Sequence, residues 1–200
     1  MEIDEEALDA IRELINIGVG RAAGMLNEMT GCTILLRVPT IRVITIDELE
    51  GADEIRATDT LATVALTFEG PLCGLSALAF PPESAAALVM LLSGEPAESP
   101  ELDALRIETL KEVGNIVINS VMGSIANLLE HHLSYSLPRY LDLSVLTLAR
   151  TANPRCPEDR VILADTRFTI EDREIEGSIL LILEVGSLEA LLDAIVEMTP

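Results

Sequence analysis

The chain has 200 residues, 49% of them hydrophobic, enough to bury a sizeable core without a disulfide or metal staple. Its formal net charge of −21 excludes nucleic acid as a partner, because phosphate backbones demand clustered Lys and Arg, and it disfavours anionic membrane surfaces for the same reason. No apolar run approaches the roughly 20 residues that cross a bilayer, and the acidic start is unlike a signal peptide, so a cytoplasmic protein without membrane contact is expected.

From about Glu5 to Met29, apolar residues recur at helical spacing. Asp4 is a good N-cap, Glu5 and Glu6 suit the first turn, and Gly31 ends the helix. Thr33–Ile46 is alternating and β-branched and reads as two strands bent at Pro39, followed by strands at Leu61–Phe68 and Gly74–Phe80. Pro81 and Pro82 lead into a short helix, Glu83–Leu92, before a linker rich in Pro, Ser and Gly at Ser93–Pro100. Ser99 as N-cap and Pro100 at the first helical position start a second long helix that runs to about Glu130. Strands then follow near Ser144–Leu148, Arg160–Thr169 and Ser178–Leu183, with a closing helix at Ser187–Glu197.

The order of elements thus occurs twice, and Gly74 and Ser84 match Gly177 and Ser187. The expectation is one pseudo-twofold domain over residues 1–200, with a first repeat at 1–98 and a second at 99–200. The simplest burial scheme is an α+β architecture in which two long helices cover a shared antiparallel sheet.

Within the long helices, Glu13 and Asn16 repeat as Glu112 and Asn115, and each Asn is followed by a Pro, Pro39 or Pro138, after 22 intervening residues. At 100° per residue, Asp9, Glu13, Asn16 and Gly20 fall within about 60° of one another. Leu8, Ile11, Leu14, Ile15, Val19, Ala22, Leu26 and Met29 form the opposite, core-facing side. In the second helix Glu108, Glu112, Asn115 and Asn119 share a stripe of the same kind. Ile17 and Ile116, directly after each Asn, project off the core side and are expected to touch a partner. Gly18, Gly20 and Gly24 each cost about 1 kcal/mol relative to Ala, which close approach of another surface would explain. For Gly24, paired with Gly123, that surface is expected to be the protein's own sheet.

A single Glu-x-x-Asn on a surface helix signifies little, but its repetition at the same phase and proline offset does. The pattern Asp9-x3-Glu13-x2-Asn16-x22-Pro39, with its copy Glu108-x3-Glu112-x2-Asn115-x22-Pro138, resembles the signature of the CheC/CheX/FliY phosphatases of bacterial and archaeal chemotaxis. Two motifs without a further flagellar-switch domain resemble the CheC-like members most. Glu108 stands where the family usually has Asp or Ser. The resemblance implies hydrolysis of the aspartyl phosphate on a CheY-type response regulator. Asn16 and Asn115 would orient the attacking water, and Glu13 and Glu112 would pair with the receiver's lysine. Asp9, Ile17, Gly20, Glu108, Ile116 and Asn119 would help dock the partner, while Pro39 and Pro138 would shape the supporting strand. No cofactor of the protein's own is implied, Mg²⁺ being expected in the receiver. CheD is a further possible partner, and a monomer is expected because the unit is already duplicated.

The rival readings are weaker. A di-metal carboxylate site requires Glu-x-x-His, and the sequence has Glu-x-x-Asn, so no metal is expected. A glycosidase lacks its sugar platform, since aromatics are 2% of residues and Trp is absent. Cys32, Cys73 and Cys156 form neither a disulfide framework nor a zinc spacing. His131 and His132 read as surface or helix-end residues. The serious alternative is a non-catalytic adaptor that binds a response regulator or CheD, and the presence of both Asn residues favours catalysis over it.

Overall fold

Two long helices, four shorter ones and an antiparallel sheet make up the computed structural model, which describes residues 5–51, 59–94, 102–130, 132–152, 160–170 and 173–198. In chain order these are α1 (Glu5–Thr30), β1 (Ile34–Thr45), α2 (Ile46–Gly51), β2 (Leu61–Glu69), β3 (Gly74–Phe80) and α3 (Pro82–Ser93). There follow α4 (Leu102–Leu128), β4 (Ser134–Tyr135), β5 (Arg139–Leu143), α5 (Val145–Ala152), β6 (Arg160–Ile170), β7 (Arg173–Leu183) and α6 (Val185–Met198). The α+β class is as read from the sequence.

The strands form one seven-stranded sheet in the order β1-β6-β7-β3-β2-β4, with β5 also paired to β2. Every pairing is antiparallel. The arrangement interleaves the chain: β1 pairs with β6, β3 with β7, and β4 and β5 with β2, so each early strand is paired to a strand from the second half. One face of the sheet carries α1, α3, α4 and α6 over the main core, which includes Ile15, Val19, Leu26, Leu110, Val117, Phe80 and Phe168. The other face is covered by α2 and α5, through Ile46, Leu49, Val145, Leu148 and Ala149.

Four readings from sequence are corrected. Thr33–Ile46 is one strand rather than two, and its bend is a bulge: Arg37 pairs with Arg167 and Thr40 with Asp165, so β1 carries one residue more than β6 across that step. Pro39, which has no N–H to give to a ladder, lies in this bulge. The extra residue shifts the pleat by one, so Ile34, Leu36 and Val38 face the main core before it, and Ile41 does so after it.

Ser144–Leu148 is not a strand. Its Val, Leu and Thr content suggests β, but the Ser144 Oγ accepts the Thr147 N–H and the Ser144 carbonyl accepts the Leu148 N–H, which starts α5. Its counterpart α2 begins inside what reads as strand. There Thr45 Oγ1 accepts the Glu48 N–H while Glu48 Oε2 accepts the Thr45 N–H, a reciprocal capping box.

Met29, assigned to the core side of α1, is 51% exposed in the last turn. Of the linker read at Ser93–Pro100, Ser93 ends α3 and Gly94 caps it, while the remainder, with Ser99 and Pro100, lies outside the described residues, as do Asp4, His131 and Cys156; His132 is exposed beyond the end of α4.

Two glycines let α4 sit close to its neighbours. A Cβ on Gly18 of α1 would come within 2.5 Å of the Val121 Cα, so the two long helices touch backbone to backbone there. A Cβ on Gly114 would meet the Val64 side chain of β2 at 2.6 Å. The close approach that Gly18 permits is therefore to the protein's own helix. Gly24 and Gly123, expected to pack on the sheet, have nothing within 4 Å of an added Cβ, and neither has Gly20.

Gly18→Ala should lower stability by about 1–3 kcal/mol through overpacking, outweighing the gain of about 1 kcal/mol in helix propensity. Gly20→Ala, with open space, should raise stability by up to about 1 kcal/mol. Urea unfolding of the two variants should therefore shift midpoints in opposite directions; shifts of the same sign would contradict the packing described.

Candidate functional site

The stripe on α1 is laid out by the helix and then modified by β1. Asp9 and Glu13 are exposed, and Asp9 forms an ion pair with Arg12 on its own helix. Among the described residues, neither Glu13 nor Glu112 has an ion pair, so both carboxylates are available to an outside cation.

Asn16 is half-buried rather than fully outward, and its Oδ1 accepts the backbone N–H of Val38 at 3.2 Å. Val38 is the residue before Pro39, at the edge of the bulge, where the ladder register is broken. Here lies a physical sense for the spacing of Asn16 and Pro39: the amide takes up a strand donor at the point where pairing is irregular. With Val38 on one lone pair of Oδ1, the other lone pair and both Nδ2 hydrogens remain for a ligand.

On α4 the same positions are held differently. Glu108 and Glu112 are exposed and Asn115 is half-buried, but its Oδ1 accepts a hydrogen bond from Asn119 Nδ2 at 2.8 Å. Pro138 lies between β4 and β5, where the strand is interrupted rather than bulged, and Leu137 before it is 85% exposed. Gly20 is exposed, as expected for a surface meant to stay open.

Ile17 is 43% exposed, in line with a contact role, but Ile116 is buried at 8% in the main core. The expectation that both isoleucines project outward fails for Ile116. The reason lies in the neighbours of α4, which packs against α1, α3, β2, β3 and β5, whereas α1 packs against α4, β1 and α6, so a wider arc of α4 is covered. At the α1–α4 seam, the Met25 sulfur of α1 reaches Ser120 Oγ at 3.7 Å, one turn beyond Ile116. The corresponding position on α4, facing Ile17, is Ser124, a short side chain that turns back to the Ser120 carbonyl. Ile17 therefore opens into a groove of about 650 Å³ lined by Leu14, Arg21, Ser124, Leu128 and Ala194 among others. Arg21 donates from Nη1 to Ser124 Oγ at 3.4 Å.

Among the described residues no group of His, Cys, Asp and Glu has the arrangement of a metal site. Nor is any described helix long and apolar enough to cross a membrane. The Val38 N–H is the site element that sequence reading missed. Its signal was present in Pro39, since a strand proline forces irregular pairing beside it.

The model of the CheC-like family matches residues 6–42, the segment from the start of α1 through the bulge. The chain is 31% identical over 140 residues, 68% of its length, to the CheY-P phosphatase CheC of Bacillus subtilis (strain 168). The chain belongs to the CheC-like family. The match spans 66% of that relative, just under two thirds of its length. The fold of the family extends over the whole chain: the FliY structure from Thermotoga maritima superposes with a TM-score of 0.77 at 22% identity, covering 98% of this chain and 99% of that one. The structure of the FliM–SpeE complex from H. pylori matches with a TM-score of 0.70 at 10% identity and full coverage of both chains. At these identities the two structures speak for the fold alone.

Because Asn16 binds the sheet, Asn16→Ala should cost about 1–3 kcal/mol by stranding the Val38 N–H. Glu13→Ala and Glu112→Ala on the open surface should stay within about 0.5 kcal/mol of the parent. Denaturant unfolding should thus rank Asn16→Ala well below both; equal stability of all three would show that the bond to Val38 carries no weight.

Proposed function

We propose that the protein hydrolyses the aspartyl phosphate of a CheY-type response regulator, with one site on each long helix. The observation that carries this reading is the repeated pairing of an exposed glutamate with a tethered amide one turn further on, Glu13 with Asn16 and Glu112 with Asn115. Hydrolysis of an acyl phosphate has little acid–base work to do. Water attacks phosphorus in line with the departing carboxylate, the P–O bond to that carboxylate breaks, and the charge is met by the receiver's own Mg²⁺ and lysine. What an outside protein can add is a fixed water. An amide suits that task because it donates and accepts without changing its charge.

On this reading Asn16 and Asn115 enter the receiver site and hold the water, while Glu13 and Glu112 pair with the receiver lysine and set the helix in register. Asp9, Ile17, Gly20 and Glu108 supply the surrounding surface; Ile116, being buried, does not. The chain's net charge of −21 favours encounter with a receiver face bearing lysine and a bound cation. The alternative, a non-catalytic module that binds a receiver or CheD, draws on the open Ile17 groove, which offers contact area without chemistry. Phosphate release separates the two, since the alternative gives binding alone.

The double variant Asn16→Ala/Asn115→Ala should lose stimulated phosphate release from a phosphorylated receiver by at least about a hundredfold, while still binding it. Retained release would remove the catalytic assignment. Glu13→Lys should weaken the receiver's apparent affinity at its site by about tenfold through charge reversal, read as a rise in KM for phosphate release in the Asn115→Ala background, where the first half alone turns over. Unchanged affinity there would remove Glu13 from the contact.

A further inference from the structure

The two amides proposed above are held by unlike means, and the difference assigns a role to a further residue. In the first half the Oδ1 of Asn16 is fixed by a backbone donor, the Val38 N–H. The position four residues after Asn16 is Gly20, where no side chain exists to help and an added Cβ would have nothing within 4 Å. In the second half the residue before the proline is Leu137, in the gap between β4 and β5, and among the described residues its N–H makes no bond to Asn115. The position equivalent to Gly20 is Asn119, and its Nδ2 donates to Asn115 Oδ1 at 2.8 Å. Each half thus has one donor on the amide oxygen, taken from the strand where the strand runs through and from the helix where it does not.

We infer that Asn119 is the positioning residue of the second site, holding the Asn115 amide with its oxygen turned towards Asn119 and its Nδ2 hydrogens left for a ligand, the part that Val38 plays for Asn16. The inference rests on the phosphatase reading of the preceding subsection. An amide free to turn presents oxygen and nitrogen alternately to the same water, and only one orientation suits a given attack geometry. Asn119 is exposed at the surface of α4, so its replacement does not open the core.

The test is the substitution Asn119→Asp, which keeps size and shape but turns a donor into an acceptor. A carboxylate cannot donate to Asn115 Oδ1. The favourable pairing then runs from Asn115 Nδ2 to the introduced carboxylate, which reverses the amide. In an Asn16→Ala background, where only the second half turns over, Asn119→Asp should lower kcat for phosphate release from a phosphorylated CheY-type receiver by about tenfold to a hundredfold with KM unchanged. The ¹H–¹⁵N side-chain resonances of Asn115 in the unbound protein should move in the same variant. Asn119→Ala, which removes the tether without reversing it, should give a smaller loss in kcat.

A rise in KM at constant kcat would make Asn119 a docking contact and overturn the inference, as would unmoved Asn115 resonances. If the background protein turns over and Asn119→Asp leaves kcat intact, the inference alone falls. If the background protein is silent and Asn115→Ala leaves the parent's turnover untouched, the second half is not a site, and the inference falls with that reading.

Discussion

A strand proline cannot donate to a sheet, and much of the first half follows from that. Pro39 sits in a bulge that gives β1 one residue more than its partner β6. The extra residue moves Ile41 to the same face as Ile34, Leu36 and Val38, so both ends of β1 contribute to one core. Beside it the Val38 N–H points to α1, where Asn16 accepts it. A buried backbone donor must find an acceptor, and the one it finds is the amide proposed to hold a water. Structural need and chemical use thus meet in a single side chain, whose oxygen is bound to the sheet edge and whose nitrogen is left for a ligand.

The helix pair supplies the second constraint. At Gly18 the two long helices come into backbone contact against Val121, and at Gly114 α4 settles on Val64 of β2. The contact brings together two outer stripes with similar residues but different surroundings. Ile116 lies in the main core, while Ile17 opens into a groove beside Ser124. The two long helices therefore present unlike surfaces, α1 with an open groove lined by both apolar and polar residues and α4 with its isoleucine covered. Leu137, exposed between β4 and β5, adds to the difference.

The sheet-and-helix class was legible in the sequence, because helical spacing and strand alternation are local properties of the chain. The errors fell where local preference and capping disagree. Ser144–Leu148 is rich in residues that favour strands, yet the Ser144 cap and the packing of Val145, Leu148 and Ala149 against the second face of the sheet make it a helix. The Thr45–Glu48 capping box was visible as a pattern but was overrun by the β-branched residues before it. In both cases a side-chain hydrogen bond at one residue outweighed the composition of its neighbours.

By itself the sequence determined that Glu13, Asn16, Glu112 and Asn115 share one phase on two amphipathic helices, since a period of 3.6 residues leaves no other placement. It also determined that the glutamates would be exposed, because an unpaired carboxylate is not buried. Only the tertiary structure decided what each amide is bonded to and which isoleucine is covered. Asn16 meets Val38 across a bulge, Asn115 meets Asn119 one turn on where the strand offers no donor, and Ile116 is covered by neighbours of α4 that α1 lacks. Helical phase tells a side chain which way to leave its own axis. What it meets there is set by the shape and length of whatever the fold brings opposite.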